Sequence, residues 1–144
     1  MSNMRIMGID YGEARVGIAI TDELNITAQG LETICHKGND KILLKKIEEI
    51  MGKYPVSTIV VGMPINMNGT ESERMRKTTE FIHKLKCKFN KVKIETVDER
   101  LTTVEAHKTM NFLNIDKRKK KDLVDTISAV YILEIYIKKL AKLN

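Results

Sequence analysis

The chain has no tryptophan, only three phenylalanines and four tyrosines in 144 residues. So few rings leave little surface on which single-stranded bases could stack. Tyr11 is the aromatic residue best placed for that role, beside an acid at a strand end. No apolar run approaches the roughly 20 residues needed to cross a bilayer, so no membrane partner is expected. The N-terminus lacks a basic segment followed by a long apolar one, so no signal peptide is expected and the location is read as cytoplasmic. Two cysteines, Cys35 and Cys87, show no metal-ligand spacing and read as free thiols of a reducing compartment. There is no repeat, no low-complexity tract and no Pro/Gly linker. Residues 1–144 are therefore expected to form one domain with one substantial core.

What is present is a soluble-protein composition, 42% apolar and 31% charged, with a formal charge of +6. Arg5 to Asp10 and Arg15 to Asp22 read as strands joined by a turn at Tyr11-Gly12-Glu13-Ala14. Gly12 is expected to take a positive φ there. Ala28 to His36 reads as a third strand. Asn39-Asp40 cap a helix carrying Ile42, Leu43, Ile47, Ile50 and Met51, with Gly52 as its expected terminator. Thr58 to Gly62 is an apolar, central strand ended by Pro64. Thr70-Glu71-Ser72-Glu73 fits a capping box, followed by Met75, Thr78, Ile82, Leu85 and Phe89 on one helical face. Val92 to Val97 is another strand. A second capping box, Thr102 to Glu105, opens a short helix to about Leu113. Asn114 to Lys121 reads as a basic link, and a long helix runs from Asp122 to about Ala141. Three meandering strands followed by alternating helices and strands predict an α/β fold with a mixed five-stranded sheet flanked by helices.

Acids gather at the ends of these elements. Asp10 closes the first strand, Asp98 and Glu99 close the last one, and Asp122 and Asp125 open the last helix. The last two share a helical face, about 4.5 Å apart along the axis. If these ends meet, three or four carboxylates converge, and like charges at short range need cations. Oxygen-only ligands favour Mg²⁺ or Mn²⁺. Two such ions about 3.5–4 Å apart stabilise both the attacking and the leaving oxygens of a phosphodiester hydrolysis. The other reading of Asp122 and Asp125 is as acids favoured at a helix N-terminus. Asp10 could equally cap a turn.

The stretches IDYGEARVGIAITD, VVGMPINMNGTESERM, VDERLTTVEA and VDTISAVYILEIYI together resemble the YqgF (RuvX-like) family, in order and over nearly the whole chain. That family has the ribonuclease H-like fold and is similar to Holliday-junction resolvases. Its members are described as pre-16S rRNA nucleases. The resemblance implies Asp10, Glu99 and Asp125 as the catalytic metal ligands; Asp122, which lies outside the family's pattern, and Asp98 are further candidates for the two-metal site by position alone. Resolvases of this fold carry an acid on the central strand, where this chain has Gly62, Met63 and Pro64, and Glu99 from the neighbouring strand takes that place. Strand alternation puts Asp98 and Glu99 on opposite faces without choosing between them. The motif chooses Glu99.

Substrate contacts are expected from four places. Asn68, Gly69 and Thr70 lead into a helix N-terminus that could hold a phosphate. Arg15 and Arg100 could each hold the scissile phosphate or orient a carboxylate. Lys119, Lys120 and Lys121, within a run of five cations, could clamp the phosphate backbone without reading sequence. The expected function is metal-dependent nuclease activity on the 5′ end of pre-16S rRNA. The alternatives are a Holliday-junction resolvase acting on branched DNA, which requires a homodimer rather than a monomer, and a non-catalytic nucleic-acid-binding factor.

Overall fold

The computed structural model describes residues 4–66, 68, 70–99 and 117–143, the last segment with side chains from 125 to 142. The elements are β1 (Arg5–Asp10), β2 (Arg15–Thr21), β3 (Ala28–Cys35), α1 (Asp40–Lys53), β4 (Val56–Met63), α2 (Glu73–Lys88), β5 (Lys93–Asp98) and α3 (Lys117–Leu143). The expected short helix from Thr102 to Leu113 lies outside the described residues. The strands form one sheet in the order β3-β2-β1-β4-β5. The β1–β2 and β2–β3 pairs are antiparallel, and β1–β4 and β4–β5 are parallel. The mixed sheet expected from the element order is therefore present. Both parallel partners arrive through helical crossovers, as parallel pairing requires.

Alternation along the strands divides the core in two. Met7, Ile9, Val16, Ile18, Ile20, Ile59 and Val61 pack with Leu43, Ile47 and Ile50 of α1 and Phe81 and Leu85 of α2. Ile6, Ala19, Val60 and Val97 face the other way and pack with Ala129, Ile132, Leu133 and Tyr136 of α3. Asp125 heads that same stripe of α3, at helical spacing from Ala129 and Ile132. On this side the sheet presents Gly8, Gly17, Gly30 and Gly62, so α3 lies close against it. The Asp125 carbonyl occupies the space that a Cβ on Gly17 would need.

Several local expectations are corrected. Gly12 does not take a positive φ; among the described residues Gly38 is the glycine that does. Gly12 serves by its size, because a Cβ there would sit 2.5 Å from the Arg15 carbonyl oxygen. Gly52 lies inside the last turn of α1, which ends at Lys53 before Pro55. Asn39 caps α1 as expected, its side chain accepting from the Lys41 N–H at 3.0 Å. The cap of α2 is Ser72, which accepts from the Met75 N–H at 3.0 Å, and not Thr70. The backbone of Lys117–Lys121 is helical from the start of α3, where a link was expected. Asp122 and Asp125 thus lie beyond the first turn of the described helix, and a cap role for them falls away.

Candidate active site

Asp10 is the last residue of β1 and points to the α3 side of the sheet, 8% exposed. Its register partner is Gly17. Because Asp125 sits directly over Gly17, the pairing of β1 with β2 brings the third expected acid beside the first. Glu99 follows β5 and is tied to the end of β4 by its N–H, which donates to the Met63 carbonyl at 3.2 Å. It is 5% exposed, whereas Asp98 is exposed on the opposite side. The continued alternation after Val97 explains this, since Val97 faces α3 and Glu99 shares its side.

Between Asp10 and Glu99 runs β4, whose next-to-last residue, Gly62, faces the α3 side. A Cβ at Gly62 would overlap the Glu99 carboxylate. The missing side chain on the central strand is thus the space into which the neighbouring strand's acid reaches.

The two carboxyls lie close enough to share a hydrogen bond when one of them is protonated. The Asp10 pKa is raised well above its ordinary value, first by burial and then by the negative charge of Glu99, with Asp125 adding to it and Arg74 opposing. Glu99 is also raised, first by burial; Arg74 and the hydrogen bond with Asp10 hold it down, and Asp98 pushes it up. The pair therefore binds a proton more readily than separate carboxyls do. Asp10 Oδ1 is buried and accepts no hydrogen bond among the described residues.

Arg74, in the first turn of α2, was not singled out from the sequence. Its Nη2 lies 3.3 Å from Glu99 Oε1 and 3.6 Å from Asp10 Oδ1, and donates to the Tyr11 carbonyl at 3.4 Å. A signal for it existed in the sequence. A cation one residue inside a helix start opposes the helix dipole, by about 0.3–1 kcal/mol, unless an anion answers it.

The other expected residues separate. Arg15 Nε lies 3.2 Å from Asp125 Oδ2, so of its two expected roles the structure shows the carboxylate contact. Among the described residues, no three acidic, histidine or cysteine side chains converge as a ready metal cage. Asp10 and Glu99 converge, while Asp125 turns to Arg15. Thr70 and Asn68 are exposed and bond mainly to each other. Asn68 Oδ1 accepts from the Thr70 N–H at 3.1 Å and from its hydroxyl at 2.7 Å. Those bonds explain why Thr70 is not the cap of α2. Gly69 and Arg100, and the side chains of Lys119, Lys120, Lys121 and Asp122, lie outside the described residues.

Tyr11 is not a base-stacking platform. Its ring is buried and stacks on Phe81 with centroids 4.4 Å apart, and its hydroxyl donates to Asp40 at 2.8 Å. Burial first, and then Asp40, push that hydroxyl's pKa far up. His36 is fully buried, and its Nε2 donates to the Gly12 carbonyl at 2.7 Å, fastening the turn after Asp10. No sequence spacing marked it.

The donor set suits a hard divalent cation: oxygen atoms only, one of them buried without a hydrogen-bond donor, on carboxyls that repel when ionised. The class is set by the fold. The chain superposes on Thermus thermophilus RuvC in complex with a Holliday junction substrate, with a TM-score of 0.54, 12% identity and coverage of 95% of this chain and 96% of that one. A second Thermus thermophilus RuvC structure gives a TM-score of 0.55 at 11% identity, covering 96% and 97%. This is the ribonuclease H-like fold.

Residues 4–139 match the family model described as RuvX, Holliday junction resolvase, and the chain belongs to that family. It is 51% identical over 140 residues to a protein of Ruminiclostridium cellulolyticum named "Putative pre-16S rRNA nuclease", covering 96% of each. A protein of the same name from Acetivibrio thermocellus is 49% identical over 134 residues, covering 93% of this chain and 95% of that one. Among the described residues, no helix is long and apolar enough to cross a membrane.

Proposed function

We propose that this chain is a divalent-metal-dependent nuclease that trims the 5′ end of pre-16S rRNA in the cytoplasm, working as a single domain. The observation that carries the reading is the buried Asp10–Glu99 pair at the sheet end, with Asp125 placed beside it through Gly17. The names of the relatives at 51% and 49% identity support the rRNA substrate.

Asp10 and Glu99 would hold Mg²⁺ or Mn²⁺, with Asp125 joining them. Bound there in a pair, such ions make a nucleophile of water at neutral pH and stabilise the leaving oxygen. The chain's own residues do the rest. Burial strips water from the two carboxyls, so each opposite charge brought to them counts for more than it would at the surface. Gly62 leaves the room in which Glu99 reaches Asp10. Arg15 orients Asp125, and no serine or cysteine nucleophile is proposed. Phosphate contacts from Asn68, Gly69, Thr70, Arg100 and Lys119 to Lys121 complete the reading, with Asp122 as a reserve ligand; Asp98, on the opposite side of the sheet, drops out of the ligand set.

The second reading, a junction resolvase, is favoured by the family's description and by the RuvC-like fold. It requires two sites related by two-fold symmetry, and hence a homodimer. A binding factor without turnover is the third reading. All three acid positions being filled argues against it.

One gel separates them. A pre-16S rRNA 5′ fragment and a four-way DNA junction are each incubated with wild type and with Asp10→Asn, in Mg²⁺ or Mn²⁺. Cutting of the RNA alone, lost in the variant, is the expected result. Symmetric cutting of the junction alone supports the second reading. Wild-type activity in Asp10→Asn refutes the site.

A further inference from the structure

Arg74 sits where the proposed ions have to go. Its guanidinium contacts both buried carboxylates, yet its own side chain is 52% exposed. The cation therefore lies on the solvent side of the acids, in the mouth of the site. Arg76, two residues on, behaves as surface arginines do, pairing with Glu73 and Glu80 of its own helix. Arg74 instead leaves its helix and reaches the ends of two different strands. Its contacts there are single and long, 3.3 Å and 3.6 Å, rather than the close two-pronged fork of a structural Arg–carboxylate pair. Its remaining partner, the Tyr11 carbonyl, is neutral. Arginine does not lose its proton in proteins. The acids can therefore be cleared of it only by moving the side chain.

We propose that Arg74 is a resident counter-ion that holds the acid pair until divalent ions displace it, and that then binds the phosphate of the nucleic acid. This rests on the divalent-metal reading above. Without ions, the guanidinium offsets the repulsion between Asp10 and Glu99. With ions and guanidinium both present, three cationic centres would crowd two carboxylates, and the exposed, loosely held one leaves. The incoming phosphodiester supplies the anion that receives it. A planar guanidinium fits phosphate oxygens as well as carboxylate oxygens.

Arg74 is thus a competitor for the metal and a ligand for the substrate, and the two roles predict opposite signs for one substitution. Mn²⁺ is titrated into metal-free wild type, R74M, R74K and D10N, with free Mn²⁺ read by electron paramagnetic resonance and folding checked by circular dichroism. R74M is expected to bind Mn²⁺ on the order of ten-fold tighter, since a half-exposed charge beside the ligands is gone. R74K keeps the charge and should bind close to wild type. Binding of a duplex oligonucleotide by wild type and by R74M, each with Ca²⁺ in place of Mn²⁺ so that the site is filled without turnover, supplies the second readout. R74M should lower the slope of log affinity against log salt by about 0.9, one phosphate contact.

R74M binding Mn²⁺ no tighter than wild type overturns the proposal, as does an unchanged salt slope. If D10N binds Mn²⁺ as well as wild type does, the metal reading itself fails, and that failure is visible apart from any result with Arg74.

Discussion

The two faces of the sheet are packed on different principles. Toward α1 and α2 the strands present isoleucine, valine and methionine, and contact is made by volume. Toward α3 the same strands set Gly8, Gly17, Gly30 and Gly62 among Ile6, Ala19, Val60 and Val97, and the glycines let the helix come close, at Gly17 backbone to backbone. Large side chains fill space and leave none to spare. Small ones let a helix approach and keep room at the strand ends, and that is where the carboxylates lie. The face with the less bulky sheet surface is the one that carries the acids of the proposed site.

The comparison can be broken from either side. On the bulky face, Ile59→Ala opens a cavity among fully buried neighbours and should cost about 2–5 kcal/mol in urea unfolding. Cleavage per folded molecule should be kept, because none of Asp10, Glu99 and Asp125 lies on that face. On the close face, Gly17→Ala forces a methyl into the Asp125 carbonyl. We expect a stability loss of about 1–3 kcal/mol. Cleavage should fall much further than that loss explains, because the helix that carries Asp125 must move.

A third test uses pH. Asp10 and Glu99 have folded pKa values above their ordinary 3.8 and 4.5. Below that range both states are protonated and the pair does not oppose folding. As pH rises, the unfolded chain ionises first and the folded state loses ground. The loss is complete only above the raised folded values. Metal-free protein should therefore melt at a lower temperature at pH 7.5 than at pH 5 on account of this pair. In Asp10→Asn the decline should be shallower, and divalent metal should reverse it in wild type alone. The smallest effect belongs to the cap. Ser72→Ala should cost about 0.5–2 kcal/mol and loosen the turn that carries Arg74, read by thermal melting.

The strands, the first helix with its Asn39 cap and the place of Asp10 were legible, because period-two alternation and strand-end position are local properties of the sequence; for Glu99 over Asp98, alternation did not decide and the family motif did. The cap of α2 was not. Thr70 and Ser72 both fit the pattern for a cap, and the choice between them is made by the Thr70–Asn68 bonds, which the spacing does not encode. Gly12 and Gly17 look alike in sequence, yet one is small for a turn carbonyl and the other for a helix 108 residues away. Arg74 was missed because an arginine among surface-helix charges is ordinary until its partners on other elements are known. Tyr11 was misjudged for the same reason: its ring is claimed by Phe81, which lies 70 residues further along.

The pairing of Gly17 with Asp125 also orders events in time. Ribosomes make chains from the N-terminus at about 5–20 residues per second. Asp10 therefore emerges on the order of ten seconds before Asp125. Until α3 docks, the sheet has one face uncovered and the site lacks its third acid. The proposed centre is completed by the last of these elements to be synthesised, so it cannot assemble on a nascent chain until α3 has emerged.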